Sequence, residues 1–202
     1  MADIIIDHIC KSFDGRPVLT DVCLAFAEGQ VSAIAAPSGA GKTTLIRIIL
    51  GLEAPDSGAV RGLEGARLGA VFQEDRLLMD ADAIENLRLV CPKLTREAAA
   101  RALARFGLED LAGKPAKQLS GGMRRRVALM RALMSDADVL VLDEPFNGLD
   151  TATRDRVIAQ TLNLLRGRTA IVAAHDPEAL RLLGARVFAL SGSNDIEQRS
   201  GL

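Results

Sequence analysis

The sequence predicts an α/β fold built on a largely parallel central sheet. Three observations carry this. Short apolar runs alternate along the chain with stretches of helical spacing. One run, Val139 to Leu142, is wholly apolar, as in a strand covered on both faces. A Gly-rich loop stands between another apolar run and a helical stretch.

The elements follow in order. Asp3 to Ile9 and Val18 to Phe26 read as strands, with Asp14-Gly15 as a turn between them. Val31 to Ala36 has the pattern of a short buried strand. A helix is predicted from about Lys42 to Leu50, with Gly51 where a C-terminal cap belongs. Pro55-Asp56-Ser57-Gly58 reads as a turn, and Leu68 to Phe72 as a strand. From about Asp82 to Met134, Ala, Leu and Arg dominate at helical spacing: Ala83, Asn86, Leu87 and Val90, then Ala99, Leu103 and Phe106. This reads as a helical insertion, whose last helix opens at Ser120. Val139 to Leu142 is the next strand, and Thr151 to Arg166 a helix ended by Gly167. Ala170 to Ala174 is a strand, Pro177 to Leu183 a helix with proline in its first turn, and Val187 to Leu190 the last strand. The polar tail from Ser191 is expected to be loose.

The 202 residues fit one compact domain, or one core with a small appended subdomain. Hydrophobic residues are 49% and charged residues 25% of the chain, which excludes a disordered chain or a small stapled scaffold. The formal net charge of −1 gives no electrostatic footprint for nucleic acid or an anionic membrane. Cys10, Cys23 and Cys91 are odd in number and none is spaced C-x-x-C. That spacing argues against metal ligation and a disulfide framework, and for a reducing, cytoplasmic setting. No apolar run reaches the ~18 residues a spanning helix needs. Met1-Ala2-Asp3 lacks the basic start of a secretory signal. The chain is expected to be soluble, and any work at a membrane goes through a partner. Tyr and Trp are absent.

Ala36-Pro37-Ser38-Gly39-Ala40-Gly41-Lys42-Thr43-Thr44 matches the phosphate loop G-x-x-x-x-G-K-[ST], except that Ala36 replaces the first glycine. Such a loop surrounds phosphate with backbone N–H groups and a helix N-terminus. Gly39 and Gly41 let the backbone approach, Lys42 would reach the β- and γ-phosphates, and the Thr43 hydroxyl would bind Mg²⁺. A methyl group at Ala36 is tolerable if φ there is negative. The plainer reading is a Gly-rich turn that contains a lysine.

Val139-Leu140-Val141-Leu142-Asp143-Glu144 ends a strand in two carboxylates. Asp143 beside the phosphate loop suits a carboxylate that holds Mg²⁺ through water or through a neighbouring ligand. Glu144 would face the γ-phosphate and polarise the attacking water. The plainer reading is a solvated strand end.

Leu119-Ser120-Gly121-Gly122-Met123 then precedes a helix, where Ser120 could be only an N-cap. With this segment the whole set resembles the ATP-binding subunit of ABC transporters, in order and over almost the whole chain. The family signature reads L-S-G-G-Q, so Met123 departs from it. The resemblance extends to Phe13 as the aromatic that stacks on adenine, to Gln73 of the Q-loop as a Mg²⁺-contacting glutamine, to Asp150 of the D-loop Asn147-Gly148-Leu149-Asp150, and to His175 as the switch histidine. Plainer readings stand beside these: a core aromatic, a loop amide and a strand-end histidine. His8 is given no role. Arg124-Arg125-Arg126 reads as a solvated helix face, with contacts near the nucleotide as the alternative.

The resemblance implies a P-loop NTPase (RecA-like) core of about 1–73 and 136–191, an N-terminal antiparallel β subdomain, an inserted α-helical subdomain of about 74–135 and a tail of 192–202. With the last core strand so near the end of the sequence, no C-terminal regulatory domain is expected. The resemblance also implies a head-to-tail homodimer or heterodimer around two ATP. Ser120, Gly121 and Gly122 of one subunit would then face the ATP held by the other. The implied cofactors are ATP and Mg²⁺. The implied partners are a membrane-spanning permease subunit and a solute-binding protein, with no nucleic acid. The chain would sit on the cytoplasmic face of the membrane through that permease. Single ATPase domains on separate chains look most like those of bacterial importers, and Val71 to Leu78 is similar to the nitrate, sulfonate and taurine importer group. A soluble ABC ATPase acting on ribosomes, DNA or a cluster-assembly complex remains the alternative. A GTPase or nucleotide kinase is a third, but no Asn-Lys-x-Asp guanine motif is present.

Overall fold

The computed structural model describes residues 2–37, 39–109, 111, 113–190 and 198–199. Strands β1 (Ile4–Phe13) and β2 (Arg16–Phe26) form an antiparallel hairpin. At its tip Asp14 and Gly15 take left-handed backbone, with φ of 50° and 74°, and that twist matches the flanking strands. Strand β3 (Val31–Ala35) leads to helix α1 (Lys42–Ile49). Strand β4 (Ser57–Arg61) then returns to the free edge of β1, giving an antiparallel sheet in the order β2-β1-β4. The sequence marks this segment only as a turn. Ser-Gly-Ala-Val-Arg has no apolar alternation, so pairing with β1, not propensity, makes it a strand.

The second sheet holds β5 (Leu68–Val71), β6 (Val139–Asp143), β7 (Thr169–Ala173), β8 (Arg186–Ala189) and β9 (Gln198–Arg199) together with β3. Its order is β5-β6-β7-β3-β8-β9, parallel throughout except for β9. All five residues of β6 are buried. Val139 and Val141 join a core made with β1, β2 and α1, and Leu140 and Leu142 join a core made with the helices. Each such side chain stabilises the fold by roughly 1.5–3 kcal/mol on burial. Phe26 and Phe188 meet edge to face at 5.2 Å and tie the two sheets together.

Helices α2 (Ala83–Val90), α3 (Arg96–Arg105) and α4 (Gly121–Leu133) lie between β5 and β6 in the chain. Helices α5 (Thr151–Leu165) and α6 (Pro177–Leu183) follow β6 and β7. These five begin with a capping side chain, Asp82, Thr95, Ser120, Asp150 or Asp176, that accepts a backbone N–H of the first turn. A cap of this kind is worth about 1 kcal/mol. Ser120 and Asp150 therefore have a structural task whatever else they do. Among the described residues, no helix is long and apolar enough to cross a membrane. Because β3, β6 and β7 are parallel and in register, their C-terminal ends open at one end of the sheet, where ligands of open α/β folds bind.

Candidate functional site

A cleft of about 280 Å³ lies at that end. Among the described residues its lining comprises Val18, Pro37, Gly39, Gly41, Lys42, Thr43, Thr44, Gln73, Asp143 and Glu144. The sequence-predicted loop, acidic pair and glutamine thus converge on one space. Ser38 lies outside the described residues. Ala36 is buried and avoids left-handed backbone, so its methyl group is accommodated.

Gly41 caps α1 with φ 84°. A Cβ there would meet Leu19 Cδ2 at 2.7 Å and the Val18 carbonyl oxygen at 2.9 Å, so the loop is pressed against β2. At Gly39, φ is 82° but the space is open. Gly41→Ala adds a clash to the strain that both positions would feel, of order 1–3 kcal/mol for a strained backbone. The expected result is that Gly41→Ala lowers the urea midpoint and abolishes measurable ATP binding by calorimetry, while Gly39→Ala is milder in both. Equal effects would place the cause in φ alone.

Lys42 Nζ donates to the Ala36 carbonyl at 2.5 Å and stands 3.8 Å from Glu144 Oε1. The Thr43 hydroxyl donates to Asp143 Oδ2 at 3.1 Å. Asp143 is only 2% exposed, and burial, followed by the neighbouring Glu144 charge, pushes its carboxyl above the usual range. Thr43, Asp143 and the exposed Gln73 offer an all-oxygen donor set, which suits a hard divalent cation. Glu144 has left-handed backbone, φ 49°, and its N–H donates to the Ala173 carbonyl at 2.9 Å. A strained non-glycine residue at this point is the pattern of a functional position. Its Oε1 lies 2.8 Å from His175 Nδ1. A carboxylate so placed, held by a histidine and a lysine, can accept a proton from water.

Other predicted residues lie outside the cleft. Phe13, at the end of β1, is 44% exposed, with Lys11 Nζ 5.2 Å from its ring centre. It is therefore not a core aromatic. Ser120 accepts the Met123 N–H at 3.3 Å, and Asp150 accepts that of Thr153 at 3.0 Å. None of Ser120, Gly121, Gly122 or Asp150 lines the cleft.

One expectation is corrected. Arg124-Arg125-Arg126 is not a solvated face, because Arg125 is only 5% exposed. Its guanidinium donates to the carbonyls of Phe72, Gln73, Asp143 and Glu144, with Asp75 Oδ1 at 3.5 Å. One side chain thus bolts the Gln73 segment to the acidic pair. Arg126 donates to the carbonyls of Phe106 and Gly107. Helical phase could have found this, since Arg125 shares a face with the buried Ala128, Leu129 and Ala132.

The ABC transporter family model matches residues 19–147, more than half of the chain. The chain belongs to the ABC transporter ATP-binding family. It is 38% identical over 206 aligned residues to an aliphatic sulfonates import ATP-binding protein of Cupriavidus pinatubonensis, spanning 98% of this chain and 69% of that one. It is 36% identical to a thiamine import ATP-binding protein of Mesorhizobium japonicum, over 92% of this chain and 79% of that one. Its fold matches the ATP-binding cassette MJ0796, solved as a dimer in a post-hydrolysis state with ADP and Pi. The TM-score is 0.84 at 27% identity, covering 98% of this chain and all of that one. The antiparallel sheet, the parallel sheet and the helical insert are those of an ABC ATPase, and the chain is an ATP-hydrolysing subunit.

Proposed function

We propose that this chain binds Mg²⁺ and ATP at the cleft, closes as a dimer around two ATP, and drives solute import through a membrane-spanning permease. The observation that supports it best is the convergence of Lys42, Thr43, Asp143, Glu144 and Gln73 on one space at the sheet's end. Pro37, Ser38, Gly39, Ala40, Gly41 and Thr44 complete the phosphate loop, and Phe13 offers its exposed ring to adenine. Mg²⁺ would be held by Thr43, Asp143 and Gln73, and it neutralises phosphate charge. Glu144 takes the proton from the attacking water, and His175 holds the carboxylate.

Ser120, Gly121, Gly122 and Asp150 serve the partner subunit's ATP. The first turn of α4, whose leading N–H groups have no acceptor within the helix, presents a favourable dipole to a γ-phosphate, with the Ser120 hydroxyl beside it. ATP then acts as glue between subunits, and hydrolysis releases them. The permease would anchor the chain on the cytoplasmic face, with a solute-binding protein in the complex. Import is favoured by the relatives' names. Their substrates differ, sulfonates in one and thiamine in the other, at nearly equal identity. The solute is thus recognised by the permease or binding protein and not by this chain.

The test is to tag the chain, solubilise native membranes in mild detergent and identify what co-purifies. A stoichiometric polytopic membrane protein is expected. Recovery of ribosomes, DNA or a soluble assembly complex would overturn the transport reading and leave the ATPase standing.

A further inference from the structure

We propose that His8, Asp21 and Cys23 form a binding site for a borderline divalent transition-metal ion, Zn²⁺ in the cell, on the outer face of the β1–β2 hairpin. Their ligand atoms all lie within 4.8 Å of one another. Imidazole nitrogen, carboxylate oxygen and thiolate sulfur are the donors zinc takes, and three protein ligands leave a fourth position for water. A thiolate ligand disfavours Mg²⁺ and Ca²⁺, so the site is chemically separate from the all-oxygen set at the cleft. None of the three residues lines that cleft.

The hairpin is distorted in a way that creates the cluster. Pairing steps from Ile6↔Leu24 to Ile9↔Val22, so β1 carries one extra residue opposite Cys23. It then steps to Lys11↔Leu19, so β2 carries one extra residue opposite Cys10. His8 and Asp21 sit at these two bulges, each with φ 51°, a left-handed conformation unusual outside glycine. The bulges keep Ile6, Ile9, Val22 and Leu24 in the core and put His8, Asp21 and Cys23 together on the exposed face. Two strained residues on facing strands both aim a ligand atom at the same point. His8 Nδ1 is 2.6 Å from Asp21 Oδ1, so the ion replaces the proton between them. The Asp21 N–H donates to Cys10 Sγ at 3.2 Å, which holds the aspartate's backbone in place. Sequence spacing argued against metal ligation by cysteine because it looks for ligands along one segment. Here they come from two strands through two bulges.

The experiment dialyses the reduced full chain, without nucleotide, against Zn²⁺ or Co²⁺. The absence of Trp and Tyr leaves the near ultraviolet clear for a thiolate-to-Co²⁺ charge-transfer band. We expect one Zn²⁺ per chain and that band. Cys23→Ser should remove the band and weaken Zn²⁺ binding by at least about 100-fold, and His8→Ala should weaken it similarly. Cys91→Ser should change neither. ATP hydrolysis by Cys23→Ser should equal that of the parent, which shows that the fold is intact. A band that survives Cys23→Ser or disappears with Cys91→Ser, or Zn²⁺ binding equal in parent and Cys23→Ser, overturns the proposal.

Discussion

Glu144→Gln is expected to slow ATP hydrolysis by roughly 10²–10⁴-fold, the range for losing a general base. The amide is isosteric and can still meet His175 Nδ1, now 2.8 Å from the Glu144 carboxylate, so the loop geometry survives. It cannot accept a proton from water. It also removes a negative charge 3.8 Å from Lys42 Nζ, which favours the anionic nucleotide. Binding should therefore persist while turnover stops, and a dimer should accumulate in ATP but not in ADP. Light scattering is the right detector, because a chain without Trp or Tyr is nearly invisible at 280 nm. Unchanged hydrolysis, with no ATP-dependent dimer, would remove Glu144 from the reaction and the sandwiched dimer from the mechanism.

Arg125→Met should destabilise the fold by about 3–5 kcal/mol, the scale of leaving several buried carbonyls without a donor at about 1–3 kcal/mol each. Methionine fills much of the volume but donates nothing. The carbonyls of Phe72, Gln73 and Asp143 then lose the donor described above, while that of Glu144 keeps the Asn147 N–H at 3.2 Å. Total stabilities of about 5–15 kcal/mol make this a large fraction. Arg125→Lys keeps the charge but not the planar fork that spans both segments. It should recover part of the urea midpoint, followed by circular dichroism, yet leave kcat low, because Gln73 and Glu144 are no longer locked together. An unfolding free energy for Arg125→Met within about 0.5 kcal/mol of that of the parent, the scatter of an ordinary surface change, would make the clasp energetically idle.

The parts of the fold legible in the sequence are those in which local chemistry decides. The phosphate loop needs glycine at Gly39 and Gly41, β6 needs apolar residues on both faces, and Ser120 and Asp150 cap the helices that follow them. The strand order is not local, since β3 lies between β7 and β8, far from its neighbours in sequence. Strand β4 is not legible locally, because its partner, and not its own residues, makes it a strand. Three adjacent arginines suggest solvation, while the helix buries the middle one, Arg125, against the sheet. At the candidate site, motif order located Lys42, Thr43, Asp143, Glu144 and Gln73. It could not show that Val18 lines the cleft or that Phe13 stands outside its lining.

The signature residues do not line their own chain's cleft. In a subunit pair of the proposed kind, each catalytic centre is therefore divided between two polypeptides. A lesion at Ser120 harms the nucleotide held by its neighbour, and one at Lys42 harms its own. Two chains, one damaged at each position, would form a pair with one wholly intact centre and one doubly broken centre. Inheritance of defects in this protein would then follow the geometry of the pair, with a faulty copy able to poison a sound one.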